Sequence, residues 1–352
     1  MEFGTNRFLH TNFTRNLLGI YSFLFFFNAA SWLWAFWVFR RTPLALGTSL
    51  LAYSFGLRHA VDADHIAAID NVTRKLMQEG KRPISVGLMF SLGHSTVVLI
   101  GAVLIASSAL TLDAHVIGLR DWGSKVGTLI SVFFLFSIAL LNIIVLRSIY
   151  CAFVKVLKGG RCVEGSVGTT VTSLGFLSRV LGPMFRIITE SWHMYPLGAL
   201  FGLGFDTATE IGVLGISAMG ASRGLPLSSI LVFPTLFAAG MSLIDTTDNI
   251  LMVGAYGWAF ANPMRKLYYN LTVTSISVLV ALAVGGIEAG GLVVAHFHLS
   301  GRIWNAVGRL NDNFTTLGCV IVVLFAMTWL LSVAIYKWCD FGRIRIECKG
   351  RY

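Results

Sequence analysis

Residues 126–146 read VGTLISVFFLFSIALLNIIVL, a stretch of 21 positions without a charged side chain. An α-helix needs about 20 predominantly apolar residues to cross the hydrocarbon core of a bilayer. Further runs of similar character lie on both sides of this stretch. Together they predict an all-α polytopic membrane protein with eight transmembrane helices, at Leu17–Phe39, Pro43–Ile69, Pro83–Ala109, Val126–Leu146, Leu197–Met219, Leu227–Phe260, Asn270–Val294 and Leu317–Tyr336.

The composition of the 352-residue chain excludes most soluble classes. Charged residues make up 12% of the chain and hydrophobic residues 55%, whereas soluble domains contain roughly 25% charged residues. The net charge of +10 does not indicate nucleic acid, because the basic residues lie between apolar runs and not along one stripe. The expected partner of these residues is membrane lipid, at the anionic cytoplasmic face. The five cysteines form no CxxC pair, which argues against a thiolate metal site.

The basic residues also predict the orientation of the helices. With the N-terminus inside, the cytoplasmic segments contain 19 Lys and Arg residues, Arg74 among them, and the outer loops contain 7. Because cytoplasmic loops carry the excess of basic residues, both termini are expected in the cytoplasm. We predict a single transmembrane domain over residues 1–352, with a basic cytoplasmic loop at 148–196 between helices four and five.

Several predicted spans contain ionisable side chains, which are costly inside a membrane. A carboxylate near the midplane costs about 2.5–3.5 kcal/mol on insertion scales, so such residues mark functional sites. In the second span residues 56–70 read GLRHAVDADHIAAID, and in the third residues 90–96 read FSLGHST. The fifth and sixth spans contain LGFDTATE at 203–210 and GMSLIDTTDN at 240–249.

The spacing of these residues predicts polar stripes on the helices. On a continuous second helix, Asp62 projects between His59 and His65. Asp64 points almost to the opposite side, so it needs another partner or a local break in the helix. In the fifth and sixth spans the acidic pairs Asp206/Glu210 and Asp245/Asp248 each share one helix face.

Imidazole nitrogen and carboxylate oxygen, without thiolate, suit borderline divalent ions such as Ni²⁺, Co²⁺ or Zn²⁺. A divalent metal ion also offsets the charge of several buried carboxylates, which a neutral solute cannot do. The predicted metal-binding residues are His59, Asp62, Asp64, His65 and His94. The predicted transport pathway adds Arg58, Asp70, Ser91, Asp206, Thr207, Glu210, Asp245, Asp248 and Asn249.

The same stretches resemble the signatures of the nickel/cobalt transporter family. RHAVDADHI at 58–66, FSLGHSTVV at 90–98, and the stretches at 203–210 and 240–248 are similar to its four motifs, in the same order. The resemblance implies an eight-helix permease of the bacterial inner membrane that imports Ni²⁺, with Co²⁺ carried or competing in some members. It also implies that His59, Asp64 and His65 are central to transport, and that Asp62 and His94 belong to the same signatures. Nickel is then the transported substrate, and no cofactor is expected.

Three other functions are alternatives to import. A divalent-metal exporter of the same superfamily is the main alternative, but related exporters tend to have a His-rich cytoplasmic loop, and the loop at 148–196 contains only His193. An enzyme is not expected, because the sequence lacks HExxH and Walker A motifs. A proton channel that uses the buried acids would conduct without metal. Glu288 and the pair His296/His298 receive no role.

Overall fold

The computed structural model describes residues 2–108, 114–157, 188–203, 207–259, 263–297 and 299–338. Within these ranges the regular structure is helical, with one short 3₁₀ turn at Ser191–His193. The helices are α1 (Glu2–Phe39), α2 (Pro43–His59), α3 (Ala63–Gln78), α4 (Val86–Ser108), α5 (Ala114–Leu157), α6 (Met194–Gly202), α7 (Ala208–Ser222), α8 (Leu227–Ile230), α9 (Val232–Ala259), α10 (Pro263–Phe297), α11 (Arg302–Asn311) and α12 (Phe314–Trp338). The predicted all-helical fold is confirmed for this part of the chain.

Five helical segments are long and apolar enough to cross a membrane. They are Phe13–Phe39, Val86–Ser107, Lys125–Cys151, Leu227–Gly257 and Tyr269–Phe297. A sixth candidate is the pair α11–α12, whose axes differ by 76° across a short break. These segments correspond to six of the predicted spans, and they identify the chain as a multi-pass membrane protein.

The second and fifth predicted spans are broken in the structure. The chain leaves the helical conformation at Ala60–Asp62, and Asp62 is extended, with φ −68° and ψ 147°. In the fifth span α6 ends at Gly202 and α7 begins at Ala208. The prediction of a continuous helix is therefore wrong at both places, whereas the local break that the orientation of Asp64 left open in the second span is present.

The local sequence explains why α7 begins where it does. Thr207 Oγ1 accepts a hydrogen bond from the backbone N–H of Glu210 at 3.4 Å and donates to Glu210 Oε2 at 2.9 Å. A Thr followed three residues later by a Glu is a capping-box sequence, which satisfies donors that the first helical turn leaves free. The stretch TATE at 207–210 could therefore have predicted a helix start inside the fifth span.

No capping sequence marks the break between α2 and α3, where the orientation of Asp64 was the one indication. Asp62 occupies the N-cap position of α3, but its side chain makes no capping hydrogen bond. Its Oδ1 instead accepts a hydrogen bond from Thr315 Oγ1 at 2.5 Å. Because Asp62 lies between two helices, the prediction that it projects between His59 and His65 from one helix is wrong.

The chain divides into two compact units. The first comprises Met1–Ala60, Ile84–Gly127 and Met194–Asp248, and the second comprises Val61–Pro83, Thr128–His193 and Asn249–Tyr352. In the first unit α4 packs along α6 and α7, and α2 also packs against α7. In the second unit α3 packs against α10 and α12. Each of the two units thus contains one of the helices that flank the Ala60–Asp62 break.

Glycines allow α4 and α6 to approach closely in the first unit. A Cβ atom on Gly198 would collide with the carbonyl oxygen of Phe90, and one on Gly93 would collide with the carbonyl oxygen of Tyr195. The two helices therefore pack backbone against backbone, as small residues permit in membranes. This packing fixes the position of His94, which follows Gly93 in the chain.

Buried polar side chains cluster around α3 in the second unit. Asp70 is wholly buried and accepts hydrogen bonds from the Tyr256 hydroxyl and from Ser277 Oγ, the latter at 2.7 Å. Arg74 is only 1% exposed and donates from Nη2 to Asn71 Oδ1 at 2.8 Å. Arg74 lies on a buried helix and not in a loop, because α3 continues beyond the predicted end of the second span, and its cytoplasmic side stays a prediction.

The predicted loop at 148–196 is described only at its two ends. Its first residues continue α5 to Leu157, and its last residues form the 3₁₀ turn and the start of α6. Near this second end, Lys81 Nζ donates to the Thr189 carbonyl oxygen and to Glu190 Oε1, the latter at 2.9 Å. Residues 158–187 lie outside the described residues, so the loop as a whole stays a prediction.

Candidate metal centre

Three buried side chains converge in the first unit. His59 is the last residue of α2, His94 lies within α4, and Glu210 is in the first turn of α7. His94 Nε2 lies 2.9 Å from His59 Nε2 and 2.9 Å from Glu210 Oε1. His59 Nε2 lies 3.9 Å from the same carboxylate oxygen. None of the three residues is more than 2% exposed, so the cluster is shielded from bulk water.

The three atoms of this cluster are spaced as if around one centre. The point equidistant from them in their common plane lies roughly 2.0 Å from each atom, which is the length of a metal–imidazole bond. The two separations of 2.9 Å are those of adjacent ligands around one metal ion, and the separation of 3.9 Å is that of opposite ligands. Square-planar and octahedral sites have this pattern, whereas a tetrahedral site would make the three separations nearly equal.

Two hydroxyl groups of α7 contact the other nitrogen of the His59 ring. Thr209 Oγ1 lies 3.2 Å from His59 Nδ1, and Thr207 Oγ1 lies 3.4 Å from it. When Nδ1 donates its proton to the Thr209 oxygen, Nε2 carries the lone pair of the ring and presents it on the side of His94 and Glu210. The first turn of α7 therefore supplies a carboxylate and orients an imidazole at the same place.

The predicted metal-binding residues are divided between the two units. His59 and His94 meet in the first unit, as described above. Asp62, Asp64 and His65 belong to the second unit, where Asp62 and His65 are buried and Asp64 is partly exposed. Glu210 was predicted only for the pathway and Thr209 was missed, although the capping-box sequence identifies the turn that contains both.

Six of the predicted pathway residues outside this cluster lie on four helices, and Thr207 lies just before α7. The Ser91 hydroxyl lies 3.2 Å from the Ser242 hydroxyl, which joins α4 to α9 within the first unit. Asn249 donates to the Thr73 hydroxyl at 2.7 Å in the second unit. Asp70 makes the hydrogen bonds described above. Arg58 is exposed, Asp245 is buried and Asp248 is half-buried.

The remaining candidates belong to the second unit or lie outside the described residues. Glu288 is buried in the second unit and accepts a hydrogen bond from Ser131 Oγ at 2.8 Å. His296 is exposed near the end of α10. Asp206 and His298 both lie outside the described residues, so the shared face of Asp206 and Glu210 stays a prediction.

The sequence was compared with protein families and with known relatives. The family described as high-affinity nickel-transport protein (NicO) matches residues 45–335 of this chain. The chain belongs to this family. The matched range contains the whole His59–His94–Glu210 cluster and all the predicted pathway residues. The resemblance drawn from the four motifs is therefore confirmed.

Individual relatives agree with the family match. The chain is 58% identical over 318 residues to the high-affinity nickel transport protein of Cupriavidus necator, covering 90% of this chain and 91% of that protein. It is 47% identical over 301 residues to the nickel transporter NixA of Staphylococcus aureus, covering 86% and 87%. It is 40% identical over 287 residues to the cobalt transport protein NhlF of Rhodococcus rhodochrous, covering 80% of each. No solved structure matches the chain.

Proposed function

We propose that this chain is a secondary transporter that imports Ni²⁺ across the bacterial inner membrane, and that Co²⁺ can use the same path. The observation that carries the proposal is the spacing of His59 Nε2, His94 Nε2 and Glu210 Oε1 around one point. Nitrogen and oxygen ligands in adjacent and opposite positions are typical of tetragonal sites for Ni²⁺. The NicO relatives named above, which are nickel and cobalt transporters, support the same substrate class.

We further propose that Asp62, Asp64 and His65 also bind the metal during transport. Only four residues separate His59 from Asp64 in the chain, and the break at Ala60–Asp62 lies between them. Transporters commonly form substrate sites where a membrane helix is discontinuous, because unpaired backbone groups and helix ends meet there. The acids of the fifth and sixth predicted spans would add negative charge along the path.

Eight membrane crossings within one permease domain are the topology that we propose. The five long segments and the α11–α12 pair account for six crossings, and the broken pairs α2–α3 and α6–α7 would add two. Without the buried Arg74, the predicted inner segments still contain 18 basic residues against 7 outside. This excess supports cytoplasmic termini. A membrane potential that is negative inside contributes about 2.3 kcal/mol per charge per 100 mV, and twice as much for a dication.

Accumulation of ⁶³Ni by cells that express the chain tests this proposal. Cells with the wild-type chain should accumulate nickel, and His59→Ala should abolish the accumulation because it removes one of three converging ligands. The matched control is His296→Ala, which changes an exposed histidine and should leave uptake within about twofold. Normal accumulation by His59→Ala at equal membrane abundance would reject the site. A fall in cellular nickel on expression of the wild-type chain would instead indicate export.

Replacing Thr209 by valine should raise the KM for Ni²⁺ about tenfold. Valine has the shape of threonine but no hydroxyl, so His59 Nδ1 would keep only the longer contact to Thr207. Thr209→Ser restores the hydroxyl and should stay within about twofold of the wild type. The measurement is the concentration dependence of initial ⁶³Ni uptake. The control is Thr235→Val, since the Thr235 hydroxyl donates to the carbonyl oxygen of Leu231, the residue before α9. An unchanged KM in Thr209→Val would show that this hydroxyl does not orient the ring.

A further inference from the structure

The first turn of α12 contacts the break that precedes α3. Thr315 Oγ1 donates to Asp62 Oδ1 at 2.5 Å, and Asp62 is only 2% exposed. Gly318, one turn further along α12, is buried against the same segment. A Cβ atom on Gly318 would collide with the carbonyl oxygen of Val61. One face of α12 therefore contacts both a side chain and the backbone of the break.

These contacts stabilise the break from a distant part of the chain. Asp62 has an extended backbone, and its side chain makes no capping hydrogen bond to α3. Non-helical backbone at membrane depth is stable only where surrounding protein or water accommodates its polar groups. Within the second unit, α12 is the helix whose residues provide this contact for Asp62 and Val61.

The start of α12 is itself held in place by its neighbours. It follows α11 after only two residues, with a bend of 76° between the two helices. In turn α11 packs closely on α10, where a Cβ atom on Gly290 would lie 2.7 Å from Val307 and one on Gly291 would lie 2.9 Å from Asn311. The position of Thr315 is therefore set by packing on α10 and not by a free linker.

We propose that the first turn of α12 is a positioning element of the metal path. Thr315 fixes the carboxylate of Asp62, and Gly318 lets α12 approach closely enough for Thr315 to reach it. The start of α3, with Asp64 and His65, is thereby held in one arrangement. The inference rests on the proposed function, since it takes these three residues as part of the path. None of the four sequence motifs includes α12, because they end before residue 250.

The kinetics of ⁶³Ni uptake by Thr315 variants test this inference. Thr315→Val should raise the KM for Ni²⁺ about tenfold, whereas Thr315→Ser, which keeps the hydroxyl, should stay within about twofold. The matched control is Thr316→Val at the next position, where the side chain is exposed and uptake should be unchanged. Membrane abundance should be the same for all the variants. A wild-type KM in Thr315→Val, or an equal rise in the serine and valine variants, would overturn the inference.

The glycine contact gives a second measurement. Gly318→Ala should lower the rate of uptake at least about tenfold, because a backbone carbonyl blocks the added methyl group. Gly308→Ala is the control, since nothing lies within 4 Å of the added atom. Equal uptake by these two variants would contradict the proposed contact.

Direct binding separates this inference from the proposed function. Isothermal titration of the purified chain with Ni²⁺ in detergent does not depend on transport or its direction. The Kd should rise about tenfold in Thr315→Val and remain near the wild-type value in Thr315→Ser. A wild-type chain that binds Ni²⁺ but accumulates none in cells would reject import and leave this inference supported. Unchanged binding in Thr315→Val would reject the inference alone.

Discussion

Replacing Glu210 by glutamine is expected to lower the initial rate of Ni²⁺ uptake about 100-fold. Glu210 Oε1 lies 2.9 Å from His94 Nε2 and is the one negatively charged group in the His59–His94–Glu210 cluster. Glutamine is nearly the same size and can still accept a hydrogen bond from Thr207, so the start of α7 should persist. Ni²⁺ would then be bound by two neutral imidazoles and an amide. The negative charge of the carboxylate, which balances the charge of the ion in a buried site, would be missing.

Charge and position can be separated with two further variants. Glu210→Asp keeps the charge but shortens the side chain, so the carboxylate no longer reaches His94, and uptake should fall about tenfold. Glu79→Gln removes a carboxylate whose side chain is 39% exposed at the end of α3, and it should leave uptake unchanged. The measurement is initial ⁶³Ni uptake at matched membrane abundance. Wild-type uptake by Glu210→Gln would exclude the carboxylate as a ligand.

Gly198→Ala should prevent the first unit from assembling. The added methyl group would occupy the position of the Phe90 carbonyl oxygen, where α4 and α6 pack backbone against backbone. Overpacking in a core costs about 1–3 kcal/mol when side chains can move away. A backbone carbonyl cannot move without displacing its helix, so the cost here should exceed that range. At least tenfold less folded protein should be recovered from membranes.

Size-exclusion chromatography of a fluorescent fusion in detergent measures this effect. The control is Gly215→Ala on α7, where nothing lies within 4 Å of the added atom, so the yield and elution volume should match the wild type. A normal yield and normal uptake for Gly198→Ala would show that α4 and α6 have room to separate. The close crossing would then not be needed to place His94.

The sequence predicted the long helices and the kind of site because both depend on local properties. The run at 126–146 is recognisable as a membrane helix from its length and apolar character alone. The histidines and acids of the four motifs indicate a divalent metal by the chemistry of their side chains. The capping-box residues Thr207 and Glu210 were also available in the sequence, and they would have placed the start of α7.

Only the tertiary structure could show which of these residues meet. The sequence placed Glu210 in the pathway, but its contact with His94 joins residues 116 positions apart. The break before α3 likewise contacts Thr315, which lies 253 positions from Asp62, and the orientation of Asp64 left a break open without fixing its place or its contacts. Apolar length and residue type are properties of each segment by itself, whereas the position of a ligand or a helix break depends on how separate segments pack. For that reason the sequence determined the membrane class and the metal chemistry, and the packing decided the geometry of the centre.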